Sequence, residues 1–166
     1  AGAYEYSDLI DDWATGDAAW IIEGLPLAYT HDLTDDVDFG AGHFVTSAAL
    51  ELDFTNDVWD TVVTGFFDRW FWDLTEHIYY AFDGSGWVYL DEVDNQQYTI
   101  GLDISLINVD GTLDVMLKVT NRDNGPGGAW LDHSRLYGSA VPEPGTMLLL
   151  GVGLAGLATL GRRFKK

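Results

Sequence analysis

The stretch that decides the fold is Asp110-Gly111-Thr112-Leu113-Asp114-Val115-Met116-Leu117-Lys118-Val119. Leu113, Val115, Leu117 and Val119 alternate with Thr112, Asp114, Met116 and Lys118, a period of two that puts one apolar row on one face of a β-strand. Asp110-Gly111, set between apolar runs, is a two-residue hairpin signal. Residues 48–54 repeat the pattern, with Ala48, Leu50, Leu52 and Phe54 facing in.

Working outward, apolar runs fall at 20–22, 25–29, 59–67, 70–74, 78–82, 87–90, 98–104 and 130–137. Asp83-Gly84-Ser85-Gly86 and Gly125-Pro126-Gly127-Gly128 punctuate them as turns. Residues 7–13 read instead as a short helix, with Ser7 as N-cap and Asp8 in its first turn. Many short strands with closely spaced turns predict an all-β fold: an antiparallel two-sheet β-sandwich, jelly-roll-like, of seven to nine strands.

Charge divides the chain. Residues 1–140 hold four basic residues (Arg69, Lys118, Arg122, Arg135) against 26 acidic ones, a net −22. Residues 141–166 hold Arg162, Arg163, Lys165 and Lys166 against Glu143 alone, a net +3. An acidic balance this strong argues against nucleic acid as a partner, because phosphate binding needs clustered cations. With no cysteine, disulfide scaffolds and thiol catalysis are excluded. The aromatic content, 14% of residues, sets the acidic part apart from disordered tails.

Three segments follow: an acidic β-sandwich ectodomain over 1–140, a Pro/Gly linker over 141–146, and an apolar C-terminal α-helix with a basic end over 147–166. Residues 147–160 carry no charge. Those fourteen residues span about 21 Å as a helix, whereas residues 144–164 span about 31 Å, the thickness of a hydrocarbon core. The terminal cations would hold that end on the cytoplasmic side and leave the acidic domain outside. Gly151, Ala155 and Thr159 recur every four positions, a small-residue face that permits close helix–helix approach.

Val141, Pro142, Glu143 and Pro144, the Gly-rich apolar segment and the basic end with Arg162 and Arg163 together resemble the PEP-CTERM sorting signal of Gram-negative bacteria. The resemblance implies recognition by a membrane exosortase and export to the cell surface or extracellular matrix. It also implies a cleaved N-terminal leader, and a chain that starts at Ala1 without one reads as already processed there. More loosely, Tyr29-Thr30-His31-Asp32-Leu33-Thr34-Asp35-Asp36 and the region 102–119 are similar to sandwich ectodomains of this sorted class.

Candidate chemistry is sparse. Asp132-His133-Ser134 has the residue types of a hydrolase triad, but neighbours on a strand point to opposite faces. No nucleophile elbow, zinc-protease helix or phosphate loop is present. The expectation is therefore a non-enzymatic protein without a cofactor. Calcium is the one candidate ligand, at the oxygen-rich loops Asp32, Asp35, Asp36, Asp38 and Asp53, Asn56, Asp57, Asp60. Asp91, Glu92, Asp94 and Asn95 form a third acidic turn, and solvated acidic turns are the ordinary reading of all three. His31, His43, His77 and His133 show no ligand spacing.

Both faces of the segment 66–73 are aromatic, with Phe66, Trp70 and Trp72 on one of them. That fits a central core strand, a contact with another subunit, or stacking on sugar rings. The sequence thus points to an exported surface or matrix protein, in its specific form a self-assembling filament or sheath subunit with packed C-terminal helices. The alternative is a glycan-binding module of an exopolysaccharide matrix.

Overall fold

The computed structural model describes residues 2–13, 18–55, 76–92, 96–121, 128–142 and 152. Among them nine strands run in order: β1 Tyr4–Ile10, β2 Ala19–Ile22, β3 Leu27–Asp32, β4 His43–Phe54, β5 Glu76–Phe82, β6 Val88–Glu92, β7 Gln97–Gly101, β8 Thr112–Asn121 and β9 Gly128–Pro142. One sheet has the order β1-β9-β4-β7, with β2 also on β9, and the other has the order β3-β8-β5-β6. All pairings are antiparallel. The pairs nest: β1 with β9, β3 with β8, β4 with β7, β5 with β6, in alternating sheets. A long hairpin rolled up in this way is a jelly roll, the arrangement expected from the strand pattern.

The period-two reading of β8 holds. Leu113, Val115 and Leu117 are fully buried and Val119 is nearly so. They face Leu50, Leu52 and Phe54 of β4 and Leu131 and Leu136 of β9 across one shared core. Each such side chain contributes roughly 1.5–3 kcal/mol of burial.

Two local expectations fail. Residues 4–10 form β1 rather than leading into a helix at Ser7, because Tyr4, Tyr6, Asp8 and Ile10 alternate inward and pair along β9. A full ladder outweighs one N-cap signal. Asp110-Gly111 makes a turn, with Gly111 at φ +83°, but not a hairpin. The preceding residues form a 3-10 turn, Ile104–Leu106, and β8 pairs with β3 and β5 instead of β7. The amide of Gly111 donates to Ile107 O, and its carbonyl accepts from Leu33 N.

Strands expected at 59–67 and 70–74 lie outside the described residues, as does the stretch 147–166 expected as a C-terminal helix, apart from Val152. Among the described residues no helix is long and apolar enough to cross a membrane. β9 runs through Val141 and Pro142, two residues into the stretch read as linker.

Two bulges shape β4 and β9. One leaves Thr46 as an extra residue, and the other leaves Asp132 extra between the pairs Asp53–His133 and Phe54–Leu131. The Asp132 carbonyl freed by the second accepts from the Trp13 indole Nε1 at 2.8 Å. The bulge backbone is thereby held by a nearly buried tryptophan.

Candidate functional site

The Asp132 bulge decides the chemistry of one sheet surface. Strand alternation turns Glu51 and Asp53 of β4, and His133 of β9, to the outer face. The extra residue brings Asp132 to that face too. His133 Nδ1 lies 3.0 Å from Asp132 Oδ2 and 3.7 Å from Asp53 Oδ2, and its Nε2 lies 3.6 Å from Glu51 Oε1. Asp53, Asp132 and His133 each offer a ligand atom within 4.8 Å of the others. Glu51, Asp132 and His133 line an open cleft together with Ser7, Leu9, Asp11 and Arg135. Partial burial pulls the His133 pKa down, but Asp132, Asp53 and Glu51 outweigh it and raise the net value.

On the inner face, Ser134 meets different partners. Its Oγ lies 2.9 Å from His31 Nε2 on β3, and His31 Nδ1 lies 2.9 Å from Asp8 Oδ2 on β1. The Tyr29 hydroxyl donates to Ser134 Oγ at 2.9 Å. With neutral His31 every proton is placed: Tyr29 to Ser134, Ser134 to Nε2, Nδ1–H to Asp8. This is a Ser–His–Asp constellation assembled from three strands. Ser134 and His31 are both fully buried, so it ties the sheets together from within rather than facing a substrate. Burial pushes His31 down in pKa, against the opposing pull of Asp8, and pushes the Tyr29 hydroxyl up.

The contiguous Asp132-His133-Ser134 therefore splits as expected between His133 and Ser134. It does not split between Asp132 and His133, because the bulge turns both outward. Spacing alone reveals neither cluster, since the partners sit on different strands. Of the acidic loops, Asp32 Oδ1 accepts from Thr34 N and Oγ1, which holds its carboxyl below the usual range. Asp38 caps a second 3-10 turn, Phe39–Ala41, by accepting from Ala41 N. Asp35 and Asp36 are exposed, and Asn56, Asp57 and Asp60 lie outside the described residues. Asp91 accepts from Glu92 N, while Asp94 and Asn95 also lie outside.

Phe66, Trp70 and Trp72 fall outside the described residues too. The exposed aromatics that are described lie elsewhere: Trp87 precedes β6 and Tyr89 lies on it. The Lys118 ammonium sits 4.4 Å from the Trp87 ring centroid and 5.0 Å from that of Tyr79. Tyr79 and Tyr89 are edge-to-face at 5.5 Å. Trp130 instead packs on Trp20.

At the end of β9, Ala140 pairs with both Tyr4 and Val45, Val141 with Phe44, and Pro142 with His43. Residues 140–165 match the PEP-CTERM protein-sorting motif. The chain carries a PEP-CTERM sorting signal. Such a signal marks proteins exported to the cell surface or extracellular space in Gram-negative bacteria, and exosortase sorts them. Here the motif begins inside the last strand, so the sandwich and the PEP-CTERM signal share residues 140–142. The remaining signal and helix-packing residues (Glu143, Pro144, Gly151, Ala155, Thr159, Arg162, Arg163) lie outside the described residues. Neither a search of curated proteins nor one of solved structures gives a match.

Proposed function

We propose that this exported protein is a non-enzymatic surface or extracellular-matrix component that self-associates into a filament or sheath. The observation that carries the reading is the edge strand β6. Among the described residues β6 is bonded only to β5, and it presents Val88 and Tyr89, with Trp87 just before it; 45%, 49% and 38% of their surfaces are exposed. An apolar edge strand is a template for strand addition. The Glu92 end is occupied, its amide donating to Asp91 Oδ1 and its carbonyl accepting from Tyr98 Oη, so the contact falls at Val88 and Tyr89. A second copy of the chain supplies an equivalent edge, and the C-terminal segments would pack behind the sandwiches.

Electron microscopy of the secreted full-length protein tests this. Ordered polymers are expected, and Val88→Lys with Tyr89→Lys should return the protein to monomers while leaving its melting temperature near that of the parent. Uniform monomers of the parent at high concentration would overturn the reading. Calcium at the acidic turns remains part of the proposal as a counter-ion for a −22 domain. An unchanged melting midpoint between calcium and EDTA would remove it.

One observation favours a second reading, glycan binding. Trp87, Tyr79 and Tyr89 form an aromatic surface beside the Lys118 ammonium, a combination able to stack sugar rings and hydrogen-bond their hydroxyls. Tryptophan fluorescence that responds to added exopolysaccharide, and loses the response in Trp87→Ala, would support it. An indifferent signal would dispose of it.

A further inference from the structure

We propose that the outer face of the β4–β9 pair binds one divalent first-row metal ion of the zinc class through His133 Nδ1, Asp132 and Asp53. The site is separate from the oxygen-only loops considered for calcium, and its donor set differs in kind. One imidazole nitrogen with two carboxylates suits zinc and its neighbours, whereas calcium takes six to eight oxygens.

The spacing from the imidazole to each carboxylate fits with little movement, and all three donors lie within 4.8 Å of one another. Tetrahedral metal–ligand bonds of about 2.0–2.1 Å place adjacent donor atoms about 3.3–3.4 Å apart. The distances from Nδ1 to the two carboxylates, 3.0 and 3.7 Å, bracket that range. On the far side of the ring Nε2 points toward Glu51 Oε1. In the metal-free chain Nδ1–H contacts Asp132 Oδ2 at 3.0 Å. A bound ion would displace that proton, and the Nε2–H would then face Glu51, a carboxylate placed as the usual outer partner of a metal-bound histidine.

Besides His133 itself, the nearest cation is turned away from the carboxylates. Arg135 is directly opposite Glu51 in the β4–β9 register, yet its Nε donates to Ser7 Oγ and its guanidinium stacks over Tyr137. Three carboxylates thus converge on one imidazole, while the adjacent arginine is engaged elsewhere. The donors also sit on held backbone. Two come from neighbouring strands, and the third stands on a bulge whose carbonyl is fixed by Trp13. A bound ion would cross-link β4 to β9, the strand that leads into the sorting signal.

The test is calorimetric titration of Zn²⁺ into the EDTA-stripped full-length chain in mild detergent. The expected result is one ion per chain, with affinity reduced at least tenfold in His133→Ala and in Asp53→Asn. Asp35→Asn, which removes the same single charge as Asp53→Asn but in an exposed loop, should leave it unaltered. Melting curves of the metal-free variants check folding, which these partly exposed positions should leave intact. Zinc affinity that survives His133→Ala within twofold would overturn the site. So would equal loss in the acidic-loop control, or calcium binding as tightly at the same residues.

Discussion

Ser134 Oγ, on one sheet, lies 2.9 Å from His31 Nε2 on the other, and both side chains are wholly buried. Ser134→Ala removes the proton that His31 Nε2 accepts and the oxygen that receives the Tyr29 hydroxyl. Leaving such groups unsatisfied costs about 1–3 kcal/mol. At about 2–4 °C per kcal/mol for a chain of this size, the melting temperature should fall by several degrees. A change of less than a degree would mean that the network carries no stability.

The same imidazole gives a pH dependence. Burial lowers the folded pKa of His31 below its ordinary value, and Asp8, Tyr29 and Ser134 are the groups facing it. The unfolded chain therefore takes up this proton first as pH falls. His31's stabilising contribution is complete above about pH 6.5, and it is lost as pH drops toward the lowered folded value. Urea midpoints should decline between pH 7.5 and 5.5, and the decline should flatten in His31→Gln. Equal slopes for the two proteins would refute this.

Legibility in the sequence followed the range of the interactions. The apolar rows Leu113-Val115-Leu117-Val119 and Leu50-Leu52-Phe54 announced their strands, because a period of two is written locally. The sorting signal was legible for the same reason. Ser7 and Asp110-Gly111 misled, because each local signal was overruled by a partner far along the chain: β9 for the first, β3 for the second. Neither side-chain cluster was legible. His31 and Ser134 are 103 positions apart, and Asp53 reaches Asp132 only through cross-strand register and a bulge that has no sequence signature.

Gly138 shows how tightly that register is held. It stands in β9 opposite Tyr6, whose hydroxyl donates to Ser47 O at 3.0 Å. A Cβ at Gly138 would overlap Ser47 O and meet Tyr6 Oη at 2.7 Å. Relief requires backbone movement, so Gly138→Ala should destabilise by about 1–3 kcal/mol, the ordinary cost of overpacking. Chemical denaturation measures this directly. Tyr6→Phe in the same background should recover little, because the backbone oxygen is the main obstacle. A neutral Gly138→Ala would show that β4 and β9 can separate freely.

Charge sets the conditions for self-association. Each sandwich carries a net −22 over residues 1–140, with four basic residues against 26 acidic ones. Polymers joined through β6 must hold apolar contact against that repulsion. Screening reaches about 10 Å at 0.1 M salt and about 30 Å at 0.01 M, so dilution of salt strengthens the repulsion while leaving the apolar contact nearly unchanged. Sedimentation of the secreted protein should shift toward smaller species as salt falls from 0.15 M to 0.01 M. Added divalent cation should reverse the shift at constant ionic strength. Polymers that grow as salt is removed would mean that opposite charges, not the exposed β6 edge, join the copies.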